Sequence, residues 1–315
     1  MIMSEKTHDL IIIGAGPSSL TAAIYTTRED IETVLYEKLT VGGLAATTDK
    51  IDNYPGFPEG IEGAALADQL EKQAKRFGAI IEYGNVDSIH DEGNEKVVVV
   101  DGVSHRTKAI LIATGSANNK LGIPGESEYY GRGVHFCATC DGAFYRGKKI
   151  VVVGGGNSAI QESIFLTRFA NHIDVVVRSR VKASEALQND LQRYIDEGQI
   201  TLHIGYTTEE IVATNGKVSS VIIAKDGNKT SIETNGVFIF AGLRPNTAFL
   251  ENSGVELDEL GFVKTNDKLQ TNVPGIFCSG DVRSGSTMQI ACAVGEGALA
   301  AYGIRDYLLE LAKKI

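Results

Sequence analysis

Asp9-Leu-Ile-Ile-Ile-Gly14-Ala-Gly16-Pro-Ser-Ser19 decides the fold. An unbroken apolar run that ends in glycines is the pattern of a strand buried on both faces of a parallel sheet. In a G-x-G-x-x-G turn the first glycine makes the bend. The second lets backbone approach a pyrophosphate, which then rests on the N-terminus of the following helix. The third position here is Ser19, small enough for close helix–strand packing. A helix from Ser18 to about Arg28 is expected next, then a strand Thr33-Val-Leu-Tyr36 ending at Glu37. Glu37 lies 21 residues beyond Gly16, where a carboxylate accepts the ribose hydroxyls of an adenosine. The same turn without a ligand would be a tight connection and nothing more; strand, turn, helix, strand and acid in order favour a dinucleotide.

The pattern recurs in the middle of the chain. Lys149-Ile-Val-Val-Val153 enters Gly154-Gly-Gly156-Asn-Ser-Ala159, a helix is expected from about Asn157 to Asn171, and a strand Ile173-Asp-Val-Val-Val177 follows. Gly154, Gly156 and Ala159 repeat the first geometry. At this strand end there is no acid, and the chain reads Val177-Arg178-Ser179-Arg180. An arginine there suits a 2′-phosphate, whereas an acid would suit NADH, so NADPH is favoured. The alternative is that Arg178 and Arg180 form a solvated loop. Two further strands end in small residues, Ile110-Leu-Ile-Ala-Thr-Gly115 and Val237-Phe-Ile-Phe-Ala-Gly242.

Alternating apolar and polar stretches at Glu82–Arg106 and Thr201–Ile232 read as small antiparallel inserts. The expected fold class is therefore α/β: two Rossmann-like, doubly wound, three-layer nucleotide-binding domains, each with a small antiparallel β-insert. Gly122-Ile-Pro-Gly125 and Arg244-Pro-Asn246 look like paired crossings. On that reading the second domain, 118–245, is inserted into the first, which comprises 1–117 and 246–315.

The bulk properties narrow the function. A chain of 315 residues with 43% hydrophobic and 22% charged residues is an ordinary globular composition with room for two domains. A net charge of −10 argues against nucleic acid as a partner, since phosphate binding needs a basic face. No run reaches the roughly 18 apolar residues that span a membrane. The apolar start, Leu10 to Ile13, ends in glycines and reads as a strand, not a signal peptide. Four cysteines are too few for a secreted disulfide scaffold of this length, so the cytoplasm is the expected compartment.

Two of those cysteines form Cys137-Ala-Thr-Cys140-Asp141, with Cys140 14 residues ahead of Gly154. Two intervening residues let a disulfide close within one turn at a helix start, and the helix N-terminus favours the thiolate that attacks. Asp141 supplies a carboxyl able to pass a proton to a leaving thiol. A zinc half-site would need two more ligands, and Cys278 and Cys292 are isolated, so no metal is expected. Cys278, after a strand, and Cys292, in an apolar helix, read as packing residues. His135 stands two residues before Cys137 and reads as a satisfied structural histidine able to tune the dithiol.

Near the C-terminus, Thr271-Asn-Val-Pro-Gly-Ile-Phe-Cys-Ser-Gly280-Asp281 is a strand ending in an acid, and Gln289-Ile-Ala-Cys-Ala-Val-Gly295-Glu-Gly297 opens a helix with small residues. Such a helix N-terminus stabilises the anion formed when an electron-rich ring is reduced. Two nucleotide sites and a vicinal dithiol describe an electron path from a reduced nicotinamide, through a flavin, to a disulfide.

These residues resemble one family: the low-molecular-weight thioredoxin reductases, which are FAD-dependent pyridine nucleotide–disulfide oxidoreductases. The resemblance rests on Gly14-Ala-Gly-Pro, Gly42-Gly43, Asn53-Tyr-Pro-Gly-Phe-Pro58, Ala113-Thr-Gly115, Cys137-Ala-Thr-Cys-Asp-Gly142, Gly154-Gly-Gly-Asn-Ser-Ala159, Gly242-Leu-Arg-Pro-Asn-Thr247 and Ser279-Gly-Asp281, in family order along the whole chain. It implies that Gly14, Gly16, Pro17, Ser18, Glu37, Lys38, Gly43, Leu44, Asn53, Ala113, Gly115, Asp281, Gln289 and Ile290 hold FAD. Gly154, Gly156, Asn157, Ser158, Arg178 and Arg180 would hold NADPH. Cys137 would attack the disulfide of a thioredoxin-like protein, Cys140 would face the flavin, and Asp141 would be the acid. A homodimer and a large rotation of the nicotinamide domain are also implied. Three departures stand out: Leu44 where the family has Gln, Met288 where it has Arg, and Val177-Arg178-Ser179 where it has His-Arg-Arg. They leave NADH or ferredoxin as alternative donors, and a non-catalytic flavin-binding redox sensor as the reading from another class.

Overall fold

The computed structural model describes residues 7–48, 51 and 53–313. The chain divides into two compact units, Met1–Ala117 with Arg244–Ile315, and Asn118–Leu243. The first six and last two residues of the expected first domain lie outside the described residues.

The first segment carries β1 (His8–Ile13), α1 (Pro17–Arg28), β2 (Thr33–Glu37), α2 (Gly43–Ala46), α3 (Gly63–Arg76), β3 (Ile80–Tyr83), β4 (Val86–Glu92), β5 (Glu95–Val100), β6 (Val103–Ile112) and β7 (Ser116–Asn118). The middle segment carries β8 (Val134–His135), α4 (Ala138–Asp141), β9 (Lys149–Val153), α5 (Asn157–Leu166), β10 (His172–Val177), α6 (Glu185–Asp196), β11 (Ile200–Ile204), β12 (Thr207–Thr214), β13 (Lys217–Lys225), β14 (Asn228–Glu233) and β15 (Val237–Ile239). After β16 (Leu243–Pro245), the chain adds β17 (Ile276–Cys278) and α7 (Ile290–Ala312) to the first unit.

Among the described residues, the sheet of the first unit runs β3-β2-β1-β6-β5-β4, with β17 also paired to β6. β6 serves two patterns. Its start is of mixed exposure and pairs antiparallel with β5, Val100 opposite Val103 and Lys96 opposite Thr107. Its end, Ala109 to Ile112, is fully buried and flanked in parallel by β1 and β17, with Ile11 and Ile276 both beside Ile110. The expected insert at Glu82–Arg106 is corrected accordingly: the antiparallel part begins at Val86 and grows from the strand that centres the parallel sheet. Ile80–Tyr83 is a parallel edge strand, Leu35 beside Ile81, and its exposure explains why no buried run marked it.

Side chains of the first unit's sheet alternate between two cores, as a two-residue period requires. Leu10, Ile12, Leu111 and Phe277 pack with α1 and α7, whereas Ile11, Ile13, Ile110 and Ile112 pack on the opposite face. The α1–α7 contact is backbone-close. A Cβ at Gly297 would lie 2.2 Å from the Ser18 carbonyl oxygen. Gly297→Val is therefore expected to cost about 3 kcal/mol or more, through overpacking that neither helix can relieve. The check is the denaturant midpoint, which falls while the slope of the transition is unchanged.

In the second unit, β11-β10-β9-β15-β8 form a sheet in which every pair is parallel. The expected meander at Thr201–Ile232 is likewise corrected. Its first residues belong to β11, parallel to β10 with Ile173 beside Ile200, and the antiparallel β12-β13-β14 starts at Thr207. The helix expected over Asn157–Asn171 stops at Leu166. There the Thr167 hydroxyl donates to the Ile164 carbonyl (2.7 Å), and the Asn171 N–H is taken by the Lys148 carbonyl (2.8 Å).

Candidate functional site

Both glycine turns are built alike. Gly14 has φ +98°, and a Cβ there would stand 2.6 Å from the Ala113 carbonyl oxygen. In the second unit, Gly154 has φ +146°, and its Cβ would meet the Phe240 carbonyl oxygen at 2.6 Å and the Ala159 methyl at 2.7 Å. Gly16 and Gly156 are the N-caps of α1 and α5, and a Cβ on either would meet nothing within 4 Å. Each turn thus has one glycine that the backbone demands and one that leaves the helix N-terminus open to a phosphate. Pro17 at the first position of α1 presets the helical φ and withdraws no needed N–H.

Glu37, at the end of β2, accepts from the Ala15 N–H through Oε2 (2.9 Å) and from the Leu39 N–H through Oε1 (2.8 Å). The carboxylate is thereby fixed against the glycine turn with lone pairs to spare for ribose hydroxyls. Gly43 has φ +56°, and its Cβ direction points to the Gly16 Cα at 3.8 Å, so these two predicted positions face one another. Lys38 is exposed, Leu44 is 48% exposed, and Gly115 (φ +65°) opens on free space. Ser18 is buried, its hydroxyl sharing a hydrogen bond with Ser279 (2.7 Å), so only its backbone is free to serve a ligand.

Asn53 and Gln289, 236 residues apart, are joined by an Asn53 Nδ2–H to Gln289 Oε1 bond of 3.1 Å. Gln289 caps α7, whose first residue is Ile290, and Met288 before it sits at φ +56°. Asp281 lies three residues beyond β17, whose last residue is Cys278; the thiol is inside the strand, not after it, and burial raises its pKa well above the ordinary value. The Asp281 Oδ1 is buried with no hydrogen-bond partner among the described residues. Burial foremost, then the Glu296 charge, pushes this carboxyl up to about 6, against a lowering hydrogen bond from Ser286. A buried acceptor that the chain leaves unpaired calls for an external donor, and a polyol hydroxyl is one.

Glu296 is the functional neighbour that the sequence reading missed. It accepts from the Gly280 N–H (2.8 Å) and pairs with Arg283 (2.6 Å), holding the turn that presents Asp281. The signal was one acid among the small residues that open α7, with an arginine 13 positions earlier.

In the second unit, Cys137 is the N-cap of α4 and is disulfide-bonded to Cys140, with Cα atoms 5.4 Å apart. The Cys140 N–H donates to Cys137 Sγ (3.2 Å). Asp141 ends α4, a 3-10 turn over Gly142–Tyr145 follows, and a Cβ at Gly142 would meet Leu166 at 2.8 Å, so the turn is pressed onto α5. The Asp141 carboxyl Oδ2 stands 3.1 Å from His135 Nδ1. At the other nucleotide turn, Asn157 Oδ1 accepts from the Ser184 N–H (2.8 Å), pinning the loop after β10 to the start of α5, while Ser158 stays exposed. Arg178 and Arg180 are exposed on that loop and join no ion pair among the described residues. No cluster of three or more His, Cys, Asp or Glu among the described residues is placed to hold a metal ion, and no described helix is long and apolar enough to cross a membrane.

A sequence profile described as pyridine nucleotide-disulphide oxidoreductase matches residues 8–297. A thioredoxin reductase of Bacillus subtilis (strain 168) is 41% identical over 314 residues, covering 99% of this chain and 98% of its own. A thioredoxin reductase of Listeria innocua is 40% identical over 318 residues, covering 100% of this chain and 98% of its own. Among solved structures, the thioredoxin reductase from Streptococcus pyogenes MGAS5005 superposes with a TM-score of 0.92 at 37% identity, over 98% of this chain and 100% of that one. On the match over residues 8–297 and on relatives about 40% identical over nearly the full length, the chain belongs to the pyridine nucleotide-disulphide oxidoreductase family, among relatives that are thioredoxin reductases.

Proposed function

We propose that this chain is a thioredoxin-disulfide reductase, passing two electrons from NADPH through FAD and the Cys137–Cys140 pair to the disulfide of a thioredoxin-like protein. The observation that carries the reading is the closed Cys137–Cys140 disulfide with Asp141 directly after it, in a unit that also holds an open dinucleotide turn. On this reading Met1–Ala117 with Arg244–Ile315 is the FAD-binding domain, and Asn118–Leu243 the NADPH-binding domain. A homodimer working in the cytoplasm completes the proposal.

The residues present fit a flavin dinucleotide: an open cradle at Gly16 and Gly43, a fixed Glu37 and an unpaired buried Asp281 oxygen. A bound flavin supplies two-electron transfer between a nicotinamide and a disulfide. The chain's own residues do the rest. Once the disulfide is reduced, the Cys140 N–H that faces Cys137 Sγ favours the thiolate there. That thiolate attacks the partner disulfide, a mixed disulfide forms, and the sulfur that leaves takes a proton from Asp141. Cys140 then gives its proton to the Asp141 carboxylate and displaces the second partner sulfur, which leaves as a thiolate, restoring the internal disulfide.

The reading is tested by anaerobic titration of the yellow holoprotein with NADPH, NADH and reduced ferredoxin side by side, followed by turnover with thioredoxin. Fast bleaching by NADPH and thioredoxin-dependent turnover support it; NADPH inert beside a fast alternative donor overturns the choice of donor. The exposed guanidinium groups of Arg178 and Arg180 give a second check. The double replacement by alanine is expected to raise KM for NADPH about 10- to 100-fold with KM for NADH nearly unchanged, because only the former carries a 2′-phosphate. Equal effects on both donors would return these arginines to the solvated-loop reading.

A further inference from the structure

His135 closes β8 two residues ahead of Cys137 and is 6% exposed. Its two nitrogens have different partners. Nδ1 is 3.1 Å from Asp141 Oδ2, and Nε2 is 2.7 Å from the Tyr145 hydroxyl. The ring is stacked on Phe238 with centroids 5.1 Å apart and planes at 30°. Tyr145 stands edge-on to both His135 and Phe238, with centroids 5.3 Å away in each case. A ring so enclosed cannot turn over without setting carbon against both polar partners.

We propose that His135 is a positioning residue for the acid of the dithiol: it fixes one oxygen of Asp141, so that the proton to be transferred is carried on the other. The inference deepens the function proposed above and rests on it, since it needs Asp141 to act as the acid. A neutral imidazole has one N–H and one acceptor nitrogen, and its neighbours choose which is which. The Asp141 Oδ2 facing Nδ1 accepts, so the ring proton belongs on Nδ1, and the Tyr145 hydroxyl, held protonated by burial first and by the Asp141 charge second, has the proton to give to Nε2. Nε2 therefore accepts, the ring proton sits on Nδ1, and Nδ1–H donates to Oδ2. Oδ1 has no partner among the described residues and is the oxygen left to carry the reactive proton.

Around the pair, α4 contributes Asp141 and the two cysteines, the following turn contributes Tyr145, β15 offers the Phe238 ring, and Lys148 places its ammonium 5.3 Å from the Tyr145 ring centroid. In the step itself, the O–H bond at Oδ1 breaks and its proton forms the S–H bond of the departing thiol. The electron pair of that O–H bond stays on Asp141 as carboxylate charge. The waiting Nδ1–H bond stabilises this charge without any proton passing to the ring.

The test is kcat and KM for thioredoxin, measured on holoprotein for wild type, His135→Phe, His135→Asn, Tyr145→Phe and Asp141→Asn. Phenylalanine at 135 keeps the stack and loses the donor, the carboxylate is less stabilised as its proton departs, and kcat falls about 10-fold with KM unchanged. Asparagine restores an N–H and brings kcat back toward wild type. Tyr145→Phe, which frees the tautomer without touching Asp141, lowers kcat the same way by less. A histidine that only fills space would be replaced by phenylalanine without loss, and asparagine would be the worse substitute. Wild-type kcat in His135→Phe and Tyr145→Phe, while Asp141→Asn lowers it, overturns the inference alone. Wild-type kcat in Asp141→Asn overturns instead the acid role on which the inference rests.

Discussion

Replacing either Cys137 or Cys140 with serine lowers turnover with a protein disulfide on the order of 10³-fold or more, while a reduced pyridine nucleotide still bleaches the flavin of the variant. The size follows from the chemistry. A hydroxyl is far too weak an acid to supply an attacking anion near neutral pH, and an S–O link is no substitute for the disulfide that must carry the two electrons. The two variants fail differently. Cys137 is the helix cap whose sulfur accepts the Cys140 N–H, so it is the sulfur best prepared as a thiolate. With Cys140→Ser, attack on the partner proceeds and stalls, and a covalent mixed disulfide accumulates that a non-reducing gel resolves. With Cys137→Ser, none accumulates. The opposite pattern would exchange the two roles, and wild-type turnover in both variants would remove the dithiol from the mechanism.

How far the sequence discloses this site depends on how local each determinant is. The glycine turns are local: strand, bend and helix start lie within a dozen residues, and Gly14, Gly16, Gly154 and Gly156 stand where the pattern puts them. The dithiol is local as well. The strand limits were less legible. β3 and β11 lie at sheet edges, so neither shows the continuous buried run of β1 or β9; the antiparallel readings from Glu82 and Thr201 take in the last two residues of β3 and all but the first of β11. β6 changes pairing partner along its own length, which no single period can express.

Contacts across long sequence separations were invisible to periodicity. Asn53 meets Gln289 across 236 residues; Gln289 opens a helix that the pattern shows, whereas only the family resemblance points to Asn53. Glu296 gave no warning, because its partners, the Gly280 N–H and Arg283, define its role and the residue type does not. Lys96 shows the same limit in the scaffold: its side chain is buried under the β4–β5 turn and paired with Asp91 at 2.9 Å, which its residue type does not announce.

Asp281→Ala separates what this carboxyl does for the cofactor from what it does to the chain. A buried oxygen with no partner among the described residues accepts from a bound ligand's hydroxyl, and its loss is expected to weaken flavin retention about 10- to 100-fold, read from flavin released on dilution. The same replacement should stabilise flavin-free protein. In the folded chain the carboxyl titrates at about 6, against an ordinary value of 3.8, chiefly because burial disfavours its charge. Between those two pH values the folded state holds the proton more tightly than the unfolded state, so stability falls as pH rises from about 4 to 6. The loss is complete above pH 6 and amounts to about 3 kcal/mol at most, an order-of-magnitude figure from the size of the shift. Flavin-free Asp281→Ala lacks that slope, and its denaturation midpoint at pH 7 lies above that of flavin-free wild type. At pH 4 the two midpoints converge, apart from the small loss of packing. Identical pH slopes in the two flavin-free proteins would show that Asp281 is solvated when the cofactor is absent, and the tension between stability and binding placed on this residue would fall with it.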